Sequence, residues 1–329
     1  MGLSRRCFLG LAAGAVVAPA IPRTSVAQGY PTRPITMIVP FPAGGPSDAI
    51  MRIVADRMKD SLGQPILIEN LSGAAGSIGA GKAARAAPDG YTLIQGDWGT
   101  HVANSAIYDL FYDVAGDFAP IALLSVNSQI IVAKKSLPAN DLNEFVAWLR
   151  ANPDKATAGT YGVGSASHIF GLFFQAATGT RFQFVPYRGL GPAMQDLMGG
   201  QIDFMLDSVA NSLPQVRSGT IKAYAITAER RLAVAPDIPT VDESGLSGFY
   251  TSFWRAIFAP RNTPKAIIAR VNAAVVSATA DPVVRSRLAD LGVSVPPRGE
   301  QTPETLMAMQ KAEIEKWWPI IKAAGIKAE

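Results

Sequence analysis

The sequence contains few of the side chains that most often carry redox, covalent or metal chemistry. Its 329 residues include one cysteine, Cys7, and two histidines, His101 and His168. No cluster of His, Cys or carboxylate residues has the spacing of a metal site. Cys7 falls within the N-terminal 27 residues, which have the features of a removable signal. We therefore expect the mature chain to have no disulfide, no thiol chemistry, no lipid anchor, no metal and no cofactor.

Clustered basic charge is also absent after residue 27. The formal net charge of the whole chain is +4, and residues 1–27 carry three arginines and no acid, so the mature chain has a formal net charge of +1. Without a run of Lys and Arg, nucleic acid is excluded as a partner. No second apolar segment of 18 or more residues occurs, which predicts a soluble mature protein without a permanent membrane anchor.

The first 27 residues have the three parts of an export signal. Two arginines at positions 5 and 6 precede an uncharged apolar run over 8–18, and small residues at 25–27 suit a signal peptidase. Residues 4–9 (SRRCFL) resemble a twin-arginine signal, although Gly10 stands where that signal often has Lys. The general secretory route and an uncleaved anchor are the alternatives. We expect cleavage after Ala27 and a periplasmic protein.

Strand-like apolar runs alternate with segments of helical periodicity nearly from end to end. This order predicts an α/β fold with a mostly parallel sheet covered by helices. The predicted strands are 35–40, 66–68, 91–94, 156–161, 182–185, 202–206 and 221–226. The predicted helices are 47–62, 77–87, 141–151, 167–177, 192–198, 209–217, 264–279, 282–291 and 303–323.

Two apolar segments, 118–133 and 252–260, are predicted to cross between two α/β lobes. Segment 118–133 is long enough for two consecutive strands. The second lobe is then inserted into the first. The predicted boundaries are 28–126 with 253–329 for lobe 1, and 127–252 for lobe 2.

Two glycine loops carry the binding chemistry in this interpretation. Residues 40–48 (PFPAGGPSD) and 161–168 (YGVGSASH) each leave a strand and open a helix. The N–H groups and dipole of a helix N-terminus favour an anion, above all a carboxylate or a phosphate. One such loop is equally consistent with Ser47 or Asp48 merely capping its helix. Two loops, one in each lobe, indicate a clamp for a small anion.

Two further segments follow strands on the side where open α/β sheets bind ligands. Residues 96–101 (GDWGTH) follow a strand of the first lobe, and Asp207 with Ser208 follows a strand of the second. We expect both segments to lie near the glycine loops.

Two enzyme classes are weaker alternatives. Ser165, His168 and Asp207 supply the residue types of a hydrolase triad, but Ser165 and His168 share one helix turn and no Gly-x-Ser-x-Gly elbow occurs. Residues 79–84 (GAGKAA) match a dinucleotide fingerprint, but an extra loop at 70–76 replaces the tight strand-to-helix turn. Close packing of a helix on the sheet explains these small residues better. An exported dinucleotide-dependent oxidoreductase is the stronger enzyme alternative.

A series of short motifs gives the chain its family resemblance. In order and spacing they resemble the Bug family, the periplasmic substrate-binding receptors of tripartite tricarboxylate transporters, from residue 30 to residue 326. The motifs are 30–35 (YPTRPI), 40–48, 69–70 (EN), 87–93 (APDGYTL), 99–101 (GTH), 118–120 (FAP), 167–168 (SH), 185–189 (VPYRG), 236–241 (PDIPTV) and 259–260 (AP).

The resemblance implies a two-lobed, Venus-flytrap fold of the type II periplasmic-binding class and no enzymatic activity. It implies capture of a di- or tricarboxylate or an aromatic acid in the interlobe cleft, delivery to membrane components of the transporter, and a monomer. A receptor that signals to a sensor kinase is the alternative. The implied ligand-binding residues are Phe41, Ala43, Gly44, Ser47, Asp48, Thr100, Gly164, Ser165, Ala166, Ser167, His168 and Asp207.

The sequence departs from the family pattern at three positions. Ala166 stands where the family usually has a hydroxyl, Trp98 where small or polar residues are common, and Arg255 where many relatives have an aromatic residue. Trp98 either narrows the pocket and stacks on a ligand or packs near the hinge. Arg255 either meets a distal carboxylate or forms a surface salt bridge. Trp98, His101, Tyr187 and Arg255 are the candidates for ligand specificity.

Overall fold

Strands and helices alternate along the chain as the sequence pattern predicts. The structure is a computed structural model that describes residues 29–187, 189–291 and 293–325. The expected export signal and its cleavage site lie outside the described residues. The described residues from Pro31 onward form one compact unit.

Nine strands and ten α-helices are assigned in the described residues. The strands are β1 (Ile35–Val39), β2 (Ile66–Asn70), β3 (Thr92–Asp97), β4 (Phe118–Lys134), β5 (Thr157–Thr160), β6 (Gln183–Pro186), β7 (Phe204–Ser208), β8 (Ile221–Ile226) and β9 (Ser252–Pro260). The helices are α1 (Pro46–Leu62), α2 (Ser77–Ala84), α3 (Asn104–Ile107), α4 (Leu142–Ala151), α5 (Ala166–Thr178), α6 (Leu190–Met198), α7 (Val209–Arg217), α8 (Lys265–Ala280), α9 (Pro282–Asp290) and α10 (Pro303–Ala323).

The strands form a mixed sheet in the order β2-β1-β3-β9-β4-β7-β5-β6, with β8 also paired to β4. The pairs among β1, β2 and β3, and those among β5, β6 and β7, are parallel. Each pair that includes β4 or β9 is antiparallel. The parallel pairing predicted from the alternating pattern therefore holds within each group of three strands, and the crossing strands make the whole sheet mixed.

Strand β4 joins the two halves of the sheet. It runs without interruption for 17 residues, so the two consecutive strands expected over 118–133 are one. Its first part pairs with β9, and its last part pairs with β7 and β8. The pairing with β9 shifts register at Pro120/Ala122 and Leu123/Ser125, and irregularities of this kind bend a strand and increase its local twist. The proposed lobe boundaries fall at adjacent positions of the crossing strands, because Asn127 pairs with Phe253.

A cluster of aromatic side chains packs between elements from both halves. The ring of Trp98, which follows β3, lies 5.0 Å from Phe170 of α5 and 5.5 Å from Trp317 of α10. Trp98 and Trp317 are almost completely buried. Burial of large rings is the main favourable term in such packing, so this cluster fixes α10 and α5 near the end of β3.

Within the described residues no single helix is long and apolar enough to cross a membrane. The helices α8 and α9, which are bent by 74° at their junction, pass that test only when taken together.

Candidate functional site

The predicted site segments lie at the carboxyl ends of parallel strands. The loop 40–45 follows β1, a helical turn follows β3, the loop 161–165 follows β5, and Ser208 ends β7. A Cβ added at Gly76 would lie 2.6 Å from Thr100 and 3.4 Å from Pro40, so Gly76 packs against both Thr100 and the start of the first loop. A Cβ added at Gly164 would lie 3.4 Å from Ile107. The second loop therefore abuts α3, which follows the same turn as Thr100.

Asp48 holds the first glycine loop in place. Its carboxylate accepts hydrogen bonds from the Gly44 N–H at 2.9 Å, from Arg52 Nε at 2.9 Å and from Asn70 Nδ2 at 3.0 Å. Asn70 also donates to the carbonyl oxygen of Phe41 at 3.1 Å. The hydrogen bond from Arg52 is the largest cause of the lowered pKa of Asp48, so the side chain is charged. The buried carboxylate thus ties both ends of the loop to β2 and α1.

The N-terminus of α1 has no side-chain cap. The N-cap residue is Gly45 and Pro46 occupies the first turn, so neither Ser47 nor Asp48 caps the helix and the helix begins one residue earlier than predicted. No described residue accepts a hydrogen bond from the N–H of Ser47 or Asp48. Ala43 and Gly44 are exposed, and Gly44 has a φ of +78°, a conformation that favours glycine. The loop therefore presents unpaired donors beside exposed main chain.

A pair of hydroxyl groups organises the second loop. Ser165 caps α5, because its Oγ accepts a hydrogen bond from the His168 N–H. The Oγ atoms of Ser165 and Ser167 are 3.1 Å apart, and Ser167 Oγ accepts from the Tyr161 N–H at 3.2 Å. When Ser167 donates to Ser165, the Ser165 proton remains free for a ligand. Ser165 is half-buried and Ser167 is buried, so Ser165 is the accessible member of the pair.

The backbone at the start of α5 repeats the arrangement of α1. No described residue accepts a hydrogen bond from the N–H of Ala166 or Ser167. Gly164, with a φ of +75°, turns the chain into the helix. Both predicted loops therefore leave helix N-terminal donors unpaired among the described residues, and such donors bind carboxylates and phosphates.

His168 braces the second loop and is not paired with a serine hydroxyl. Its Nδ1 accepts a hydrogen bond from the Gly164 N–H at 3.0 Å, which leaves the proton on Nε2. The ring packs edge-on against Phe184 at 4.5 Å, and burial lowers its pKa. Ser165 contacts the backbone of His168 and not its ring. The nucleophile–base pair of a hydrolase triad is therefore not formed.

Asp97 starts the helical turn that follows β3. Its carboxylate accepts from the Thr100 N–H at 2.8 Å and from Thr100 Oγ1 at 3.0 Å. The residues Gly99–Ala103 form a π-helical turn that leads into α3, and neither element was predicted from the sequence. Burial raises the pKa of Asp97. Thr100 itself is completely buried, and its hydroxyl lies 2.9 Å from His101 Nδ1.

Trp98 and His101 lie in the protein interior. Trp98 is fully buried and donates from Nε1 to Glu313 at 2.9 Å, in addition to its aromatic packing. His101 stacks on Phe258 at 4.1 Å, and burial lowers its pKa to about 3, so the ring is neutral. Both side chains are enclosed by packing contacts, and we propose that Trp98 has the second of the two roles considered for it.

Asp207 is a buried carboxyl at the end of β7. Its Oδ2 accepts from Ser212 Oγ at 2.6 Å and from Asn211 Nδ2 at 2.7 Å, while Oδ1 has no partner among the described residues. Burial raises its pKa to about 6. This group therefore gains a proton under mildly acidic conditions.

Tyr161 lies within electrostatic range of charged groups from both halves of the sheet. It is half-buried at the end of β5, and burial raises the pKa of its phenol. Asp207 from the second half, and Asp97 and Arg255 from the first, all act on it electrostatically. The sequence analysis placed Tyr161 and Asp97 in segments near the site but not among the ligand-binding residues. Their positions at the end of a strand, directly before a glycine or a helical turn, are the signals that could have identified them.

The remaining predicted residues have separate surroundings. Tyr187 donates from its hydroxyl to Asp196 at 2.6 Å, which together with burial raises its pKa to about 12. Phe41 is half-buried beside the first loop. Arg255 lies on β9 and has no carboxylate within 4.0 Å among the described residues, so the surface salt bridge considered for it does not form there.

Comparison with known proteins relates this arrangement to solute receptors. A family profile described as tripartite tricarboxylate transporter family receptor matches residues 50–326. A UPF0065 protein of Agrobacterium vitis is 40% identical over 311 residues, covering 94% of this chain and 90% of that protein. BugT of Bordetella pertussis is 33% identical over 303 residues, covering 92% of each.

Two solved structures from Rhodopseudomonas palustris have the same fold. MatC with bound malate is 41% identical, and the superposition covers 89% of this chain and 100% of that one with a TM-score of 0.77. A second protein, solved with adipate, is 31% identical, with coverage of 91% and 100% and a TM-score of 0.78. The predicted α/β periplasmic-binding-protein fold is therefore confirmed.

Proposed function

The chain belongs to the tripartite tricarboxylate transporter receptor family, and from this premise we propose that it captures a small carboxylated ligand between its two glycine loops and delivers it to a membrane transporter. The observation that carries the proposal is the pair of helix N-termini, α1 and α5, whose first N–H groups have no acceptor among the described residues. A carboxylate supplies acceptors for these donors and the charge that the helix dipoles favour.

The ligand class is supported by the chemistry of the second loop and by two relatives. Ser165 offers a hydroxyl that is half-buried and backed by Ser167. Relatives of this chain have been solved with malate and with adipate, which are both dicarboxylates. Each of these ligands presents the planar, charged group that backbone amides and a hydroxyl recognise together.

The rest of the proposal follows from the receptor family and the N-terminal sequence. A receptor of this kind binds its ligand without converting it, so we expect no turnover of substrate. The signal-like residues 1–27 support export to the periplasm, where the mature protein meets the membrane components of its transporter as a monomer.

A thermal-shift screen of the purified protein against organic acids tests this function. A ligand at 100 times its dissociation constant adds about 2.7 kcal/mol to the free energy of unfolding. We expect a rise in melting temperature with di- or tricarboxylates or aromatic acids, and no rise with their amides. The proposal would be overturned if uncharged amides stabilise the protein to the same extent as the acids, or if none of the acids stabilises it.

A further inference from the structure

Arg255 occupies a position where two neighbouring strands place polar side chains on the same face of the sheet. On β9 it pairs directly with Asp97 of β3 on one side and with Ser125 of β4 on the other. Directly opposed residues of antiparallel strands point to the same face. Arg255, Asp97 and Ser125 therefore project together toward the side on which Tyr161 also lies within electrostatic range.

The guanidinium of Arg255 lacks the partners that such a group normally has. Its Nε is buried and forms no hydrogen bond with any described residue. Its guanidinium lies 4.8 Å from the centroid of the Phe253 ring, and the charge of Asp97 acts on it at longer range. The exposed arginines Arg181 and Arg231, by contrast, each contact a carboxylate within 3 Å.

Asp97 does not balance this charge. It lies more than 4.0 Å from Arg255, and one carboxylate oxygen is occupied by the N–H and hydroxyl of Thr100. The side chain of Arg255 keeps part of its accessible surface but is enclosed by protein on most sides. A cation in this setting loses hydration without gaining a full ion pair, which is costly unless an anion binds there.

Two other buried hydroxyls also lack partners among the described residues, and one of them, that of Ser125, is on the residue paired with Arg255. Ser125 Oγ is completely buried and unpaired, and so is Thr160 Oγ1 at the end of β5, next to Tyr161. A buried hydroxyl without a partner is destabilising, because it loses its hydrogen bonds to water and gains none in return. A hydroxyl donor beside a planar guanidinium fork is a suitable arrangement for a carboxylate, which accepts from both.

We propose that Arg255 is the second anchor of the site, which binds the distal carboxylate of a dicarboxylate whose first carboxylate lies at the glycine loops. This inference rests on the proposed function and specifies its ligand. Ser125 supplies an additional donor to the same carboxylate. A monocarboxylate of equal length leaves Arg255 unpaired, so selectivity against it comes from the cost of that unpaired charge.

Calorimetric titration with matched pairs of acids tests the inference. The probes are the unbranched dicarboxylates from malonate to adipate, each compared with the monocarboxylate of the same carbon number. We expect wild-type protein to bind the dicarboxylate of best-fitting length roughly ten- to hundredfold more tightly than the matching monocarboxylate. A hydrogen bond to a charged group contributes about this difference in affinity.

Three variants assign the preference to Arg255. Arg255→Gln should bind the mono- and dicarboxylate with similar affinity, and Arg255→Lys should keep part of the preference because it retains the charge without the planar fork. Arg181→Gln removes an exposed arginine, 74% accessible, and should bind like the wild type. The ligand-free melting temperature of Arg255→Gln should equal or exceed that of the wild type, because an unpaired buried charge is removed.

The possible failures point to different parts of the account. If wild-type protein binds carboxylates but shows no preference for dicarboxylates, or if Arg255→Gln keeps the preference, the second anchor is wrong and the proposed function stands. If Arg255→Gln melts at a lower temperature and leaves the preference unchanged, Arg255 has only a structural role. If no acid in the series binds the wild type, the proposed function itself fails.

Discussion

At the scale of single residues, the two serines of the second loop differ in burial, and we propose that only Ser165 contacts the ligand. Ser165 is the accessible hydroxyl, and Ser167 is buried beneath it as the acceptor for the Tyr161 N–H. Sequence reasoning placed both residues at the ligand, because their spacing at a helix N-terminus gives no information about which hydroxyl faces inward. Burial in the folded structure makes the distinction.

Substituting each serine separates the two roles. Ser165→Ala should weaken carboxylate binding roughly ten- to hundredfold and lower the free energy of unfolding by about 1 kcal/mol through the lost cap. Ser167→Ala should lower the free energy of unfolding by about 1–3 kcal/mol, since the Tyr161 N–H loses its acceptor. Calorimetric titration and urea denaturation measure both quantities. Equal affinity of Ser165→Ala and wild type would remove Ser165 from the site.

Asp207 should make stability depend on pH in a direction opposite to that of most carboxylates. Its pKa in the folded protein is about 6, above the ordinary value of 3.8, so the folded state takes up a proton before the unfolded chain does. Its contribution to the free energy of unfolding therefore rises as the pH falls through 6 and is complete near pH 4.

Comparison with Asp207→Asn isolates this effect. Between pH 7 and pH 5 the free energy of unfolding of the wild type should rise by about 1 kcal/mol relative to the variant. Urea denaturation at several pH values gives the difference. A difference that stays constant or falls over this range would show that Asp207 is already ionised without cost in the folded protein.

At the scale of elements, the first loop is held by contacts that reach outside it. Asp48 joins the loop to Arg52 one helical turn later and to Asn70 at the end of β2. The N-terminus of α1 is consequently left without a side-chain cap and keeps its donors unpaired. The loop is therefore shaped by a neighbouring strand as well as by its own glycines.

Removal of this brace should affect both stability and binding. Asp48→Ala should lower the free energy of unfolding by about 2–4 kcal/mol, since Gly44, Arg52 and Asn70 all lose an acceptor, and should weaken carboxylate binding as the loop loosens. Arg52→Gln is the milder control, because Arg52 is 54% exposed and an exposed ion pair contributes about 0–1 kcal/mol. Full affinity in Asp48→Ala would contradict a bracing role.

The elements also show where sequence reasoning succeeds. Glycine and proline residues mark the ends of α1 and α5 in the sequence, and both helices begin within one residue of their predicted starts. No secondary structure was predicted for residues 96–101, which follow β3. In the structure Asp97 accepts a hydrogen bond from the Thr100 N–H, and a helical turn forms there. An acidic residue three positions before the threonine was the available signal.

At the scale of the whole molecule, Trp98 links the end of β3 to α5 and α10. Its contacts, Phe170, Trp317 and Glu313, are distant in sequence, so no local pattern identifies it as a packing residue. The same holds for His101, which stacks on Phe258 of β9. Long-range packing of this kind explains why two of the residues considered for ligand specificity lie in the interior.

Trp98 should therefore control stability and not selectivity. Trp98→Ala should lower the free energy of unfolding by about 3–5 kcal/mol, since a large buried ring is lost. Trp98→Phe retains a ring without the N–H donated to Glu313 and should be milder, with unchanged ratios of affinity between aromatic and aliphatic acids. Chemical denaturation measures the free energy of unfolding, and competition binding measures the ratios of affinity. A changed ratio in Trp98→Phe would place the indole against the ligand.

The central claim is that one carboxylated ligand contacts both glycine loops, and a backbone amide NMR titration tests it most directly. The acid that stabilises the protein most is added stepwise to isotopically labelled protein. We expect the amide resonances of Ser47 and Asp48 in α1, and of Ala166 and Ser167 in α5, to shift along one saturation curve with a single dissociation constant, since these four N–H groups have no acceptor among the described residues. Shifts confined to one loop, or centred on residues outside both, would contradict the account.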